Sequence, residues 1–419
     1  MQKSIAGADG VRALACLMVL GHHLGQRLNP MAMSPSIQAA DFFLWSLSSG
    51  VSVFFVLSGM LLSRPFWDAW LDGRPMPSLS TYFVRRAARI APAFYVAMLI
   101  LFAVQLWLVP AEQLHAPVVR LVAGLAFVSG FHWLTWFPNE LNGPFWSISL
   151  EVFCYAVLPL FLLPLFTLLR RRGIAAGLVW WVIGFCLLLL ANAAVLALVQ
   201  TPSEGRGWQF GLIGGAKYWI PNYNPVGFFC QYAFGVLAAG LIAWMPRSAR
   251  CASIARSGLF DLLALAAIGL GLWPHLMWLG LVAETQQMPD FTFSWQQQPY
   301  FFPWFPAAAA LLLVSSSASR WVGRALDNPL FRGIAKLSFG IYLWHFAVIE
   351  ILQRTVVPEL HVFGMVSFEG WLRYSALVLV LTTAIAALSW WLVEAPALRL
   401  VKRWEARRRE TTVPAAAHA

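Results

Sequence analysis

Residues 174–199 read IAAGLVWWVIGFCLLLLANAAVLALV, with no charge and a single side-chain amide at Asn192. At about 1.5 Å of rise per residue, a helix of this length spans roughly 39 Å, more than the ~30 Å hydrocarbon core of a bilayer. The stretch does not alternate apolar with polar residues, as the strands of a membrane barrel do. In lipid, a helix satisfies its backbone polar groups within its own segment. Working outward, comparable stretches lie at 5–25, 42–62, 90–110, 144–169, 226–245, 259–282, 301–317, 334–354 and 371–394. The chain therefore reads as an all-α polytopic membrane protein with about ten transmembrane helices. Composition agrees: 60% of the 419 residues are hydrophobic and 11% are charged, against about 25% charged in soluble domains. No internal repeat is evident, which weakens a transporter reading.

The loops carry the orientation signal, because Lys and Arg are retained on the cytoplasmic side. A weaker stretch at 117–134 decides the pattern. If it lies at the outer interface or re-enters, the basic clusters Arg64–Arg89, Arg170–Arg172, Arg247–Arg256, Arg320–Lys336 and Arg399–Arg409 all fall inside. The acids Glu112, Glu140, Glu284, Asp290, Glu359 and Glu369 then fall outside. Both termini are expected in the cytoplasm, with residues 1–403 forming one membrane domain and 404–419 a polar, frayed tail. The net charge of +11 sits in these short clusters, a pattern for a membrane surface and not for nucleic acid. Cys16, Cys154, Cys186, Cys230 and Cys251 have no metal or redox spacing, so buried thiols and no metal are expected. Asp9, Arg12 and the ending His22-His23 suit neither a signal-peptide core nor a cleavage site, so the first stretch is expected to stay in the mature chain.

Ionisable groups within such stretches are costly and by default mark function. Asp9 and Arg12 are three apart and can pair. The plainer reading, a helix end anchored at the headgroups, carries less weight than that default. Arg12 and His23 are eleven apart, which returns to about the same helix face some 16 Å further along. Arg86 and Arg89 share a face at the start of the third stretch, where two guanidiniums can fork onto phosphates. Arg85 reads as an ordinary positive-inside residue. The fourth stretch opens Trp146-Ser147-Ile148-Ser149-Leu150-Glu151, and Glu151 needs a partner there, an arginine being one option. Tyr342 and His345 share a face in the ninth, where a structurally satisfied histidine is the more common outcome.

Together with Phe54-Phe55-Val56-Leu57-Ser58-Gly59, these places resemble the acyltransferase-3 family of integral-membrane acyltransferases. The family's Asp-Gly-x-Arg start and later histidine correspond to Asp9-Gly10-Val11-Arg12 and His23. Its Arg-x-x-Arg and Ile-x-Pro correspond to Arg86, Arg89, Ile90 and Pro92. Its Trp-Ser and Glu correspond to Trp146, Ser147 and Glu151, and its Ser-to-His motif to residues 338–345. Its Glu-x-Pro corresponds to Glu394 and Pro396. The resemblance implies an O-acyltransferase of the cell inner membrane that moves an acyl group, most commonly acetyl, from acyl-CoA to a carbohydrate or glycoside hydroxyl. It implies His23 as general base, with Asp9, Arg12 and Glu151 also in the catalytic set and Arg86 and Arg89 on the CoA phosphates. Asp9 and Arg12 lie too far along the helix to orient His23 and suit the donor's path instead. Ser58, Trp146, Ser147, Tyr342 and His345 are further candidates.

Two outer loops suit a sugar by stacking and hydrogen bonding. Residues 283–304 hold Gln286, Gln287, Phe291, Phe293, Trp295, Gln296–Gln298, Tyr300 and Trp304, and residues 201–224 are rich in Gly, Trp and Tyr. An interfacial aromatic belt explains many of these residues equally well. The alternative function is a transporter or flippase of a lipid-linked sugar, with the buried Arg, Asp and His as its path.

Overall fold

The computed structural model describes residues 5–169, 172–285, 295–357 and 364–412. Arg170, Arg171, Gln286, Gln287, Asp290, Phe291, Phe293, Glu359 and residues 413–419 lie outside the described residues. The described chain is helical without a β-strand, and Leu28 and Met365 make an isolated bridge. Its helices are α1 Ala8–Gly25, α2 Pro35–Ser46, α3 Gly50–Leu71, α4 Leu79–Leu108, α5 Pro117–Leu125, α6 Trp146–Leu168, α7 Ile174–Leu198 and α8 Gly211–Trp219. They continue with α9 Pro225–Trp244, α10 Ala249–Arg256, α11 Leu259–Thr285, α12 Trp304–Ala318, α13 Val322–Leu326, α14 Pro329–Val356, α15 Phe368–Ser389 and α16 Ala395–Thr412.

Each of the ten apolar stretches is helical, the one at 42–62 running from the end of α2 through a 3-10 turn into α3. Eight helical segments among the described residues are long and apolar enough to cross a membrane: Pro35–Leu71, α4, Gly143–Leu165, α7, Pro225–Arg247, α11, α14 and Phe368–Arg408. The other two stretches differ for visible reasons. The first, α1, carries Asp9, Arg12 and two histidines in 18 residues, and α12 has only 15. The weak stretch at 117–134 contains the nine-residue α5, too short to span. Its Val118, Val119 and Val122 are exposed, while Arg120 is buried and paired with Glu140.

The centre is the α3–α9 pair, packed face to face. Their backbones meet because two positions lack a Cβ. An added Cβ would lie 2.2 Å from the Tyr232 carbonyl oxygen at Gly59, and 1.9 Å from that of Val56 at Gly235. Close helix packing through small residues is a recurrent solution where lipid offers no hydrophobic drive. It also gives a physical reason for the glycine that ends the Phe54–Gly59 motif. At one end of this pair Arg247 holds Asp68 at 3.1 Å and Asp72 at 2.6 Å. Arg247 and then Arg74 keep the Asp72 carboxyl below its ordinary range. Around the pair stand α1 and α14, which pack on each other, with α15 behind α14. Between α15 and α16 the chain makes a π-turn over Trp390–Glu394. The helix of α16 continues to Thr412, past the position where the sequence reads as a frayed tail.

Candidate active site

Three cavities follow one another through the bundle, and shared lining residues fix their order. The first is a chamber of about 570 Å³. One corner of it is polar, built by His22, His23, Gln26, Arg27 and Glu350, and the rest is largely aromatic. Trp45 comes from α2, Trp146 from α6, Trp208 and Tyr223 from the 201–224 loop, Trp219 from α8, Trp278 from α11, and Tyr300 from before α12. Trp219 and Tyr223 stack at 4.3 Å between ring centroids. Burial pushes the phenols of Tyr223 and Tyr300 well above their ordinary range, so both stay neutral.

The histidine pair is defined by what its nitrogens touch. His23 Nδ1 lies 2.9 Å from the Val19 carbonyl oxygen and 3.1 Å from His345 Nε2. His345 Nδ1 lies 3.0 Å from the Ile341 oxygen and 2.9 Å from the Tyr342 oxygen. A carbonyl accepts and never donates, so in the neutral pair both Nδ1 atoms carry the proton. His23 Nδ1–H then points to Val19 and to the bare Nε2 of His345, leaving His23 Nε2, on a side chain that lines the chamber, without a partner among the described residues. His22 differs. Its Nδ1 donates to the Trp45 carbonyl at 2.7 Å and its Nε2 accepts from Gln26 Nε2 at 3.2 Å, so both nitrogens are occupied. Arg27 meets Glu350 at 2.6 Å, and Arg354 approaches the same carboxylate at 3.6 Å.

Tyr342 and Val51 line both the chamber and the next cavity, a waist of about 110 Å³. Tyr342 donates to the Pro144 carbonyl at 2.9 Å and lies 2.5 Å from the Ser147 hydroxyl. Ser147, Ser58, Glu151, Tyr155, Arg12, Arg86 and Arg89 also line the waist. Glu151 accepts from Ser58 at 2.7 Å and from the Tyr155 hydroxyl. Its partners are hydroxyls where an arginine was one option. Tyr155 sits one turn along from Glu151, a spacing visible in the sequence.

Arg12, Leu61, Leu62, Arg86 and Arg89 line both the waist and a third cavity, a vestibule of about 790 Å³. Arg12 is 3.7 Å from Asp9. Arg89 is 3.1 Å from the buried Glu394, and its guanidinium lies over Phe339 and Trp390. The π-turn thus brings Glu394 and Trp390 onto the same arginine. Arg85 is held by Glu405 of α16 at 2.5 Å. Arg86 has no carboxylate partner among the described residues.

The structure brings the sequence candidates onto one path: His23 with His345 at the chamber, Tyr342 and Ser147 at the neck, Ser58 and Glu151 in the waist, and Asp9, Arg12, Arg86 and Arg89 toward the vestibule. Trp146 lines the chamber and stacks on Trp136. Of the 283–304 residues singled out, Tyr300 reaches the chamber. Gln296 binds Asn192 and Gln297 binds Asn222, so these amides pin their loop. Sequence reasoning missed Gln26, Arg27, Glu350, Tyr155, Lys336 and Trp390. The (i, i+4) spacings of His22 with Gln26 and Glu350 with Arg354 were the available signals. Among the described residues, no group of three His, Cys, Asp or Glu could hold a metal ion.

A helical multi-pass bundle in which a histidine lines an internal aromatic chamber, with a cationic vestibule two cavities away, fits a membrane-embedded group-transfer enzyme. The chain belongs to the acyltransferase-3 family: the family model described as "Acyltransferase domain" matches residues 5–391. It is 26% identical over 412 residues to "Putative peptidoglycan O-acetyltransferase YrhL" of Bacillus subtilis (strain 168), covering 94% of this chain and 54% of that protein. It is 23% identical over 421 residues to peptidoglycan O-acetyltransferase OatA of Listeria monocytogenes serovar 1/2a, covering 94% and 56%. The chain spans about half the length of these curated relatives. No solved structure matches it.

Proposed function

We propose that the chain is a membrane O-acyltransferase of the inner membrane that moves an acyl group, acetyl in the first instance, from acyl-CoA to a hydroxyl of a carbohydrate acceptor. The observation that carries this reading is the succession of three cavities, each sharing lining residues with the next, from a cation-rich vestibule to His23. The donor enters from the cytoplasmic side, where both termini also lie. Arg86 holds its phosphates, its arm passes Arg12 and Glu151 in the waist, and its thioester reaches the chamber beside Tyr342. The acceptor enters the chamber from the outer side and stacks on its indoles, as sugar rings do. Two relatives named for peptidoglycan O-acetylation support the carbohydrate acceptor and the acetyl group.

His23 Nε2 takes the proton of the acceptor hydroxyl as its oxygen attacks the thioester carbon. The carbon–sulfur bond then breaks, and the leaving thiolate recovers that proton from the imidazolium, giving the ester and free CoA thiol. His345 is a positioning residue: its Nε2 accepts from His23 Nδ1–H, which keeps the His23 lone pair on Nε2. Arg89 neutralises Glu394 in the resting enzyme, and its contribution to the donor is indirect. The test is release of CoA thiol by the purified protein, dependent on acceptor and accompanied by label transfer from [acetyl]-CoA. Acceptor movement into vesicles without thiol release would replace this reading by the transporter alternative.

A further inference from the structure

The vestibule holds more positive charge than its own acids offset. Arg12, Arg85, Arg86, Arg89, Arg332, Lys336, Arg399 and Lys402 line it, against Asp9 and Glu405. Four of the cations are taken up by carboxylates: Arg12 by Asp9, Arg85 by Glu405, Arg89 by Glu394, and Arg332 by Asp327 at 3.4 Å. Arg86, Lys336, Arg399 and Lys402 have no carboxylate partner among the described residues.

These four are also ordered along the path. Arg86 lines both waist and vestibule, whereas Lys336, Arg399 and Lys402 line the vestibule alone. They are therefore further from the chamber. Lys336 Nζ lies 5.3 Å over the Trp390 ring, which positions it without a counter-ion. Arg399 Nε is turned to the Ala395 carbonyl at 3.3 Å, back toward its own helix. A coenzyme A thioester has a fixed chemical order: thioester, flexible arm, pyrophosphate, then a ribose bearing a 3′-phosphate. If the arm lies in the waist, the pyrophosphate meets Arg86, and the 3′-phosphate comes one ribose further out, where the lysines stand.

We infer that Lys336 and Lys402 form a subsite for the 3′-phosphate of the donor, so that the vestibule selects coenzyme A thioesters over their 3′-dephospho forms. This rests on the acyl-CoA reading above and adds to it a residue-level basis for donor choice. Lysine suits the task, since a single phosphate at the mouth needs point charge more than a planar fork.

The experiment is equilibrium binding of acetyl-CoA and of 3′-dephospho-acetyl-CoA to the full-length protein in nanodiscs. The wild-type protein should bind acetyl-CoA roughly ten- to hundredfold more tightly, the effect of one or two charge-assisted contacts. Lys336→Gln with Lys402→Gln should bring acetyl-CoA down to the affinity of the dephospho ligand, which itself should not change. Equal wild-type affinity for the two ligands overturns the subsite and leaves the donor reading standing, without depending on any variant's folding. Equal loss of both ligands in the double variant also overturns it. Binding of neither thioester by the wild-type protein overturns the donor reading and this inference with it.

Discussion

The chamber around His23 and the vestibule beyond Arg86 lie on one path but handle charge in opposite ways. In the chamber, charge is cancelled locally. Arg27 and Glu350 meet at 2.6 Å, His22 has both nitrogens occupied, and His23 and His345 form a neutral hydrogen-bonded pair. In the vestibule, Arg86, Lys336, Arg399 and Lys402 have no carboxylate partner among the described residues. A base must carry a bare lone pair to accept a proton, and the contacts of His23 Nδ1 leave one on Nε2. A site for a polyanion needs a surplus of cations, and it can keep one where the surroundings are wet. The same cation types are thus neutralised at one end of the path and left in excess at the other.

The sharpest way to break this contrast is at His23. His23→Ala should leave acyl-CoA binding near normal and reduce transfer about 10²–10⁴-fold, the usual range for a lost general base. His22→Ala should cost much less, because neither His22 nitrogen is free. His345→Ala should lower turnover and alter its pH profile, since it removes one of the two acceptors that hold His23 Nδ1–H, and His345→Gln should recover part of the loss. Matched protein levels and a thiol-release assay read all of these. Near-normal turnover in His23→Ala with abolition in His345→Ala would move the base to α14.

At the vestibule end the largest effect concerns stability. Arg89 and the buried Glu394 form one unit, with 24% and 1% side-chain exposure. Removing one partner of a buried pair costs about 3–5 kcal/mol, chiefly by stranding the other charge. Arg89→Ala should therefore lower the unfolding temperature markedly, and adding Glu394→Gln should restore much of it. Persistent loss of donor affinity in the stabilised double variant would show that Arg89 also contacts the donor directly. Arg86→Ala should instead keep stability and weaken acyl-CoA binding roughly ten- to hundredfold, as expected for a lost charge-assisted contact.

Much of this arrangement is legible in the chain. Each of the ten apolar stretches is helical, and the spacing of Arg12 and His23 puts both on one side of α1. They line successive cavities there. What periodicity does not carry is the identity of a neighbour across a helix interface. His23 and His345 are 322 residues apart, and nothing in either motif states that their rings meet. Glu394 reads as the end of a motif; its place on Arg89 depends on a π-turn that sequence pattern does not reveal. Gln296 and Gln297 look like sugar ligands by type, yet their amides close contacts to Asn192 and Asn222. A polar residue in a membrane protein serves a ligand or the fold, and only packing distinguishes them.

The smallest expected effect is at Arg85, and it tests whether the vestibule acts through contacts or through net charge. Arg85 lines the vestibule but is held by Glu405, with 48% of its side chain exposed. Exposed pairs contribute roughly 0–1 kcal/mol, so Arg85→Ala should change stability little. It does, however, remove the charge that offsets Glu405 at the vestibule wall, where the carboxylate repels the donor's phosphates. A loss of affinity up to about fivefold follows if that repulsion reaches the size of a surface pair. Glu405→Ala alone frees Arg85 and should tighten binding by a similar factor. The double variant Arg85→Ala/Glu405→Ala removes both charges and should bind acyl-CoA like the wild-type protein. Titration at low and at high salt sharpens the reading, because exposed charges are screened over about 10 Å at 0.1 M. The single-variant differences should therefore shrink as salt rises. If the double variant stays as weak as Arg85→Ala, Arg85 touches the donor itself, and the surplus cations of the vestibule must be counted as five.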